Sequence, residues 1–406
     1  MATFITDADE PAPSTFESLP KEILQAIMKH LDFESLPKMV VLGPVFYEAF
    51  KAVEGITMHQ IALNEIGPEL LPIATARYAA FIMTLPTPDI DSPAIPSDIK
   101  TVNRIDFETK FLASGAKVLT IPKSTFLCSM VHQIIVYHRH MVKISDECAD
   151  VLIPSTQPLL SGAFTENPCT QSERLRINRA LYILGTCKEW LLTLFNKYEP
   201  MNDLENHLKG FWYNFSPWDR YQVHYLPHLA SLHNYPERLH EILRAMSLAP
   251  HEFPLSALLQ RPPMVRYSIL NLDRVSLLHR SLQCPQVERC WLLRSEQEDG
   301  GEEVSLSIDH ILDKHNEEDT GPQSIWFWRF ASRFMPIPDF TMFGASFDQS
   351  QLTPTYMCSI FLDRARLDHR TAGKLPTLAQ MQEATKNQTL ALPLEDWGSN
   401  WRLVDI

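Results

Sequence analysis

The chain has 406 residues, of which 45% are hydrophobic, so it can bury a sizeable core in one large domain or two. Acidic side chains outnumber basic ones by 49 to 36, which gives a net charge of -13. This balance disfavours general binding of nucleic acids or anionic membranes, since both need a positive field. The 7 cysteines include no Cys-x-x-Cys pair, so we expect reduced thiols in an intracellular protein of the cytoplasm or the nucleus.

The N-terminal residues 1–15 are acidic and polar. This composition predicts a disordered tail and is wrong for a secretory signal or a transit peptide. No apolar run reaches the length that a membrane-spanning helix needs. We therefore expect neither a membrane nor a nucleic acid among the partners of this chain.

The stretch from Ser18 to the break at Asp32 predicts an amphipathic helix. Ser18 is placed to cap this helix, Pro20 suits its first turn, and Glu22 suits the positive end of its dipole. The apolar residues recur at helical spacing and form one stripe. These residues are Leu19, Ile23, Leu24, Ile27, Met28 and Leu31.

Two further short helices are predicted before residue 55. Asp32 marks a break and a cap, and the second helix starts near Ser35 with Pro37 in its first turn. Gly43-Pro44 ends that helix, and a third begins at Val45. Three helices this short cannot bury all their apolar surface alone, so part of it should meet the rest of the chain or another protein.

One ordered pattern runs through these three helices. It consists of Leu19-Pro20-x-Glu22-Ile23, Ile27, Leu31-Asp32, Ser35-Leu36 and Val45-Phe46-Tyr47. This order resembles the F-box, a three-helix module that docks on the Skp adaptor of cullin–RING (SCF) ubiquitin ligases. The resemblance implies an F-box over residues 16–55, although Pro37 and Gly43-Pro44 depart from the residues usual in that family.

The resemblance also implies which side chains pack the module and contact the adaptor. They are Leu19, Pro20, Ile23, Leu24, Ile27, Leu31, Leu36, Met39, Val40 and Phe46. The alternative is a plain amphipathic helical hairpin whose apolar side chains belong to the core of the protein itself.

The remaining residues, 56–406, predict an irregular helical domain with long loops and few or no strands. Helical patterns cover 101–142 and, most clearly, 172–198, whose broad apolar face predicts burial on more than one side. Proline-rich connections interrupt the chain at 86–97 and 153–171. No segment alternates as a strand and no repeat is found, which argues against a leucine-rich solenoid or a β-propeller.

Two stretches of unusual composition lie in this domain. Residues 295–321 are strongly acidic, and they are either a solvated loop or a docking strip for a basic partner. Residues 324–347 are rich in aromatic side chains, and they are either a buried plug or a binding surface.

Two short motifs extend the resemblance. Phe215-Ser216-Pro217-Trp218-Asp219 and the C-terminal Ser359-Ile360-Phe361-Leu362-Asp363-Arg364-Ala365-Arg366-Leu367 are similar to elements of poorly characterised fungal F-box proteins. Physically, Asp219 suits a helix start. Asp363 with Arg364 and Arg366 could tie a terminal helix to the body by paired charges. We expect structural roles for both motifs.

Motifs that would indicate an enzyme are absent from the sequence. There is no Gly-x-Gly, no phosphate-binding loop, no Gly-x-Ser-x-Gly and no His-Glu-x-x-His. His224 and His228 could share a helix face, and Asp219 or His233 could complete a zinc site, but ordinary histidines explain them as well. We therefore expect no cofactor, no metal and no catalytic residue.

The sequence thus favours an F-box substrate receptor that binds the Skp adaptor, and through it a cullin, and recruits an unknown protein for ubiquitination. Two other hypotheses remain. The chain is a helical scaffold that acts outside any ligase, or it is an enzyme whose site is assembled from residues distant in sequence.

Overall fold

The computed structural model describes residues 16, 18–85, 95–155, 168–196, 210–230, 315, 318–334, 358–370 and 377–380. Every regular element in these ranges is helical, and none of the described residues forms a strand. The prediction of a mostly α protein is therefore confirmed. The tail 1–15 and most of the acidic run 295–321 lie outside the described residues. None of the described helices combines the length and the apolar character needed to cross a membrane.

The longer helices are α1 (Lys21–Lys29), α2 (Ser35–Val40), α3 (Pro44–Lys51), α4 (Glu54–Ile66), α5 (Leu71–Thr84), α6 (Cys128–Ser155), α7 (Gln171–Asn196), α8 (Pro217–Ala230), α9 (Gly321–Phe334) and α10 (Arg364–Arg370). Short turns connect α5 to α6. They are Ser97–Lys100, Arg104–Asp106, a π-helical turn at Phe107–Phe111, Ala113–Ala116 and a 3₁₀ turn at Lys123–Thr125. The helical pattern predicted over 101–142 is thus divided into short helical turns in its first half and α6 in its second half, and α6 continues beyond residue 142.

Helices α5 and α7 pack together at the centre, and α6 and α8 pack on α7. All residues from Leu71 to Ile82 of α5 are buried, and several of them are alanines, which lets neighbouring helices approach closely. Five consecutive residues of α7, from Ala180 to Leu184, are fully buried. Because consecutive residues point in different directions around a helix, α7 is buried on all sides, as its broad apolar face predicted.

A buried group of charges joins the three central helices. The guanidinium of Arg77 on α5 lies 3.3 Å from the Glu189 carboxylate on α7, and it stacks 3.8 Å from the ring centre of Tyr137 on α6. The Lys188 ammonium is 3.6 Å from the same carboxylate, and burial lowers the pKa of Lys188. Buried charges are stable only when paired, so these contacts fix the three helices to one another.

The mid-chain motif forms the start of α8. The Asp219 amide donates to the Ser216 hydroxyl at 3.1 Å, and the Ser216 amide donates to the Asp219 carboxylate at 3.2 Å, which is a reciprocal cap. The other Asp219 oxygen accepts from Arg179 of α7 at 3.0 Å. Trp218 is buried with its ring 6.0 Å from that of Trp326 on α9. The motif therefore anchors α8 in the core.

The C-terminal motif is tied to the start of α7. The Asp363 carboxylate accepts hydrogen bonds from Thr170 at 2.5 Å, Ser172 at 2.6 Å and Arg176 at 2.8 Å. Arg366 adds a 2.7 Å ion pair with Glu173, so paired charges do tie this element to the body, as predicted. The partner of Asp363 is Arg176, however, and not a neighbour in its own motif.

Candidate functional site

Helix α1 begins at Lys21, two residues later than a cap at Ser18 predicts. Pro20 is the residue that precedes the helix, with extended backbone angles (φ -55°, ψ 144°), and a proline side chain has no group that can cap the helix. The prediction that Ser18 holds the capping position is therefore wrong, because Pro20 holds it. Pro20 fits the position because its carbonyl accepts from the amides of Ile23 and Leu24, at 2.9 and 3.2 Å, while a proline has no N–H to lose.

The buried side of α1 carries Leu24 and Met28, both with no exposed surface. Leu19 and Ile27 lie beside this side and are partly buried, and Ile23 is 47% exposed. The apolar stripe predicted from the sequence is thus wider than the surface that the fold covers. Its outer edge faces solvent.

The turn between α1 and α2 is capped as predicted. The Asp32 carboxylate accepts from the Ser35 amide at 2.7 Å and from the Ser35 hydroxyl at 2.9 Å. These hydrogen bonds lower the pKa of Asp32, and they start α2 at Ser35. Pro37 lies within the first turn, where a proline is tolerated, so it does not disrupt this helix.

Helix α3 starts at Pro44, directly after Gly43, and packs against both α1 and α2. Phe46 is buried on its inner side, and the Phe16 ring stacks on it with the ring centres 6.1 Å apart. Gln25 of α1 donates to the Ala49 carbonyl of α3 at 3.1 Å. The three predicted helices thus form one small module.

The predicted adaptor-contact residues fall into three groups. Leu24, Leu36, Met39 and Phe46 are buried within the fold. Leu19, Ile27, Leu31 and Val40 are partly buried. Pro20 and Ile23 are exposed. The last two are therefore available to a partner without any rearrangement, while the buried group holds the module together.

Sequence reasoning missed most of the exposed apolar side chains of the module. Of the nine exposed large hydrophobic residues in the described part of the chain, six lie between positions 16 and 47. They are Phe16, Ile23, Val41, Leu42, Val45 and Tyr47. We call this set the outer face. Val41 and Leu42 follow α2 directly, so helical periodicity could not indicate their exposure, and the most exposed of the set is Val41, at 80%.

The module is fixed to the body through the turn between α1 and α2. Phe33 is buried there with its ring 5.1 Å from that of His132 on α6. The Phe33 amide donates to Glu65 of α4 at 2.9 Å. Arg139 of α6 pairs with Glu65 at 3.0 Å and with Glu34 at 2.5 Å. The outer face and this junction involve different residues.

Alternative sites receive less support from the described residues. No group of three metal-ligating side chains is found among them, and Asp219 is already bound to Arg179 and Ser216. His224 contacts the neighbouring Tyr225 ring, and His233 lies outside the described residues. In the aromatic segment, the two aromatic side chains that the structure describes, Trp326 and Phe327, are buried, which favours the interpretation as a core plug.

Comparisons of this chain with protein-family models, with curated proteins and with solved structures gave no match.

Proposed function

We propose that this chain is a substrate receptor of the F-box type, whose N-terminal module (α1–α3) binds the Skp adaptor of a cullin–RING ubiquitin ligase. Such a receptor performs no bond chemistry. It holds a target protein close to the ubiquitin-charged enzyme and so raises the effective concentration of the target.

The observation that carries this proposal is the outer face. The module shares one hydrophobic core with the body, yet six of its large apolar side chains are exposed to solvent. Monomeric proteins rarely expose large contiguous apolar patches, and such patches indicate an interaction site. The six residues all lie within 32 positions of the chain, which favours such a site here. The plain hairpin alternative places the predicted apolar side chains in the core, and it accounts for the buried Leu24, Leu36, Met39 and Phe46. The exposed outer face is what favours adaptor binding over that alternative.

The outer face can supply the free energy that an adaptor complex needs. Complete burial of a valine, leucine or isoleucine contributes about 1.5–3 kcal/mol, so covering the half-exposed Ile23 and Tyr47 contributes about 1 kcal/mol each. Val41 and Leu42 are more exposed and contribute more. Only part of this sum appears as affinity, since association also costs entropy.

The test is capture of purified Skp adaptor by the full chain. Replacing Val41 and Leu42 together with serine removes two exposed side chains and leaves the buried set intact. We expect about tenfold or greater weakening of capture, equivalent to about 1.4 kcal/mol or more. The double variant Leu19→Ala/Pro20→Ala should weaken capture as well, because it alters the start of α1.

A matched control is Val118→Ser, which removes a comparably exposed apolar side chain outside the module. Its capture of the adaptor should equal that of the wild type. Undiminished capture by the Val41/Leu42 variant, with unchanged helicity, would contradict the proposal. The second candidate, a scaffold outside any ligase, predicts that the adaptor is captured while no cullin and no ubiquitinated protein accompany the chain in cells.

A further inference from the structure

The segment 97–124, between α5 and α6, has the opposite charge balance to the rest of the chain. It contains five basic and three acidic side chains, a net charge of +2, while the whole chain has a net charge of -13. Lys110, Lys117 and Lys123 are all exposed. Lys110 also forms a 2.9 Å ion pair with Asp106 inside the segment, so a partner carboxylate would share this lysine with Asp106. A local positive field therefore exists on an otherwise acidic protein.

Exposed aliphatic side chains accompany these lysines. Ile105 is 66% exposed and Val118 is 59% exposed. The remaining exposed large hydrophobic residue of the described part, outside the outer face, is Ile56. Its neighbour Gly55 lies directly against the backbone of Ser124, so Ile56 borders the same segment. Single exposed aliphatic residues are common, but here all three adjoin one basic segment.

The segment is a fixed platform. The Thr125 hydroxyl donates to the Asp98 carboxylate at 2.8 Å, which closes the two ends of the segment. In the middle, the Thr120 hydroxyl donates to the Lys110 carbonyl, which holds the loop at 117–121 beside the π-helical turn. Phe107 and Phe111 are buried on the inner side. The exposed lysines and aliphatic side chains are thus presented by a defined backbone.

The backbone of this segment is also unusual. It contains the π-helical turn at Phe107–Phe111, and π turns occur frequently at functional sites. Ala116 has a φ of 52°, the sole non-glycine residue of the described part with positive φ. The preceding carbonyl, of Gly115, accepts from Arg179 at 2.6 Å, which holds the strained turn in place. Strain of this kind is concentrated in binding and switch regions.

We infer that the outer side of segment 97–124, with Ile105, Lys110, Lys117, Val118 and Lys123, binds an acidic segment of a partner protein that also carries aliphatic side chains. The lysines attract carboxylates, and the two aliphatic side chains offer contacts for leucine-like residues. The interpretation of this partner as the ubiquitination target rests on the proposed function, while the binding itself does not.

A peptide fits this surface better than the other polyanions do. Nucleic acids and anionic membranes are extended and would meet the negative charge of the whole chain as well as the local lysines. Non-specific binding of single-stranded nucleic acid also relies on exposed aromatic side chains, and the aromatic residues described in this segment are buried. Aliphatic contacts are of no use for base stacking.

The experiment measures fluorescence anisotropy of a labelled peptide of Asp-Asp-Leu repeats with the full chain. Two variants remove the two parts of the surface, Lys110→Glu/Lys123→Glu and Ile105→Ser/Val118→Ser. Lys117 is left in place because its charge helps to lower the pKa of the buried Asp219. We expect each variant to bind the peptide about tenfold more weakly or worse, and binding of the wild type to weaken with salt.

The matched control is Lys21→Glu/Lys38→Glu, which reverses two equally exposed lysines elsewhere and should bind the peptide as the wild type does. Equal weakening in this control would show general charge attraction and overturn the inference. The absence of peptide binding by the wild type would also overturn the inference. So would peptide binding that appears only after the acidic residues at 296–303 are replaced by amides, because the lysines would then bind this chain's own acidic residues instead of a partner.

Two further measurements separate the possible explanations. Binding of duplex DNA and of phosphatidylserine vesicles is measured for the wild type and for the lysine variant. If the lysine variant loses binding of these probes to the same extent as it loses binding of the peptide, the choice of a peptide partner is overturned. The Lys110→Glu change breaks the ion pair with Asp106, whereas the aliphatic variant breaks no ion pair, so the aliphatic variant remains informative if the lysine variant does not fold. All these variants except the Lys21/Lys38 control should still capture the Skp adaptor as the wild type does, so failure here leaves the proposed function standing.

Discussion

Replacing Glu189 with glutamine should destabilise the body far more than removing a surface charge. The Glu189 side chain is 2% exposed, and its carboxylate lies 3.3 Å from Arg77 and 3.6 Å from Lys188. Glutamine keeps the volume, so the change isolates the charge. Breaking a buried ion pair by removing one partner costs about 3–5 kcal/mol, because the other charge stays buried without compensation.

The lower end of this range applies here, about 3 kcal/mol, because the Arg77 guanidinium keeps its contact with the Tyr137 ring. The loss should also include an effect on Lys188. Burial lowers the pKa of Lys188 and Glu189 opposes this, so removal of Glu189 lowers that pKa further. The ammonium form of Lys188 is then harder to keep in the folded state.

The assay is urea-induced unfolding followed by far-ultraviolet circular dichroism, with Arg77→Met and the double variant to complete a cycle. Because the two residues are in contact, the double variant should lose less than the sum of the single variants, by about 0.5–3 kcal/mol. Glu34→Gln is the matched control. Glu34 pairs with Arg139 at the surface, so its loss should be about 0–1 kcal/mol. Additive losses, or a Glu189→Gln cost as small as that of the control, would refute the reasoning.

Two further predictions concern the C-terminal motif. Burial raises the pKa of Asp363, but hydroxyl groups of Ser172 and Thr170 and the charge of Arg176 outweigh burial and leave this pKa lowered. The ionised carboxylate therefore stabilises the fold at neutral pH, and this contribution is lost as the pH falls from about 4 through the lowered pKa. Asp363→Asn should thus lose less stability on acidification than the wild type does, measured by urea midpoints at neutral and acid pH, and an equal loss would contradict this account. Gly321→Ala should destabilise by about 1–3 kcal/mol, because the added Cβ would lie 2.5 Å from the Leu362 carbonyl oxygen. Limited proteolysis should then cut the chain faster, and an unchanged rate would show that α9 shifts without loss.

Local signals in the sequence predicted the module well. Gly43-Pro44 and Asp32 define their helix starts through backbone chemistry that needs no distant partner. The cap from Ser18 failed because Pro20 itself precedes the helix and leaves that hydroxyl two residues away from the helix start. The pattern over 101–142 did not reveal that its first half is divided into short turns, because an apolar pattern cannot distinguish one long helix from turns that bury single aromatic residues such as Phe107.

Contacts between distant residues could not be predicted. Arg77 lies in an apolar stretch of α5, and nothing near it in the sequence indicates a carboxylate on α7 as its partner. Similarly, Asp363 finds Arg176 across 187 positions of the chain. The exposure of Ile23 could not be predicted either. When the apolar stripe of a helix is wider than the surface that the fold covers, the sequence does not show which edge of the stripe stays exposed.

The junction at Phe33, Glu65 and Arg139 has a mechanical consequence. The Phe33 ring is buried against α6, and the Glu65 carboxylate binds both the Phe33 amide and the Arg139 guanidinium. The module therefore cannot rotate relative to the body without breaking these contacts together. A protein that binds α1–α3 would therefore also fix the orientation of the central helices. The position of the body relative to that protein would be determined by the packing within this chain.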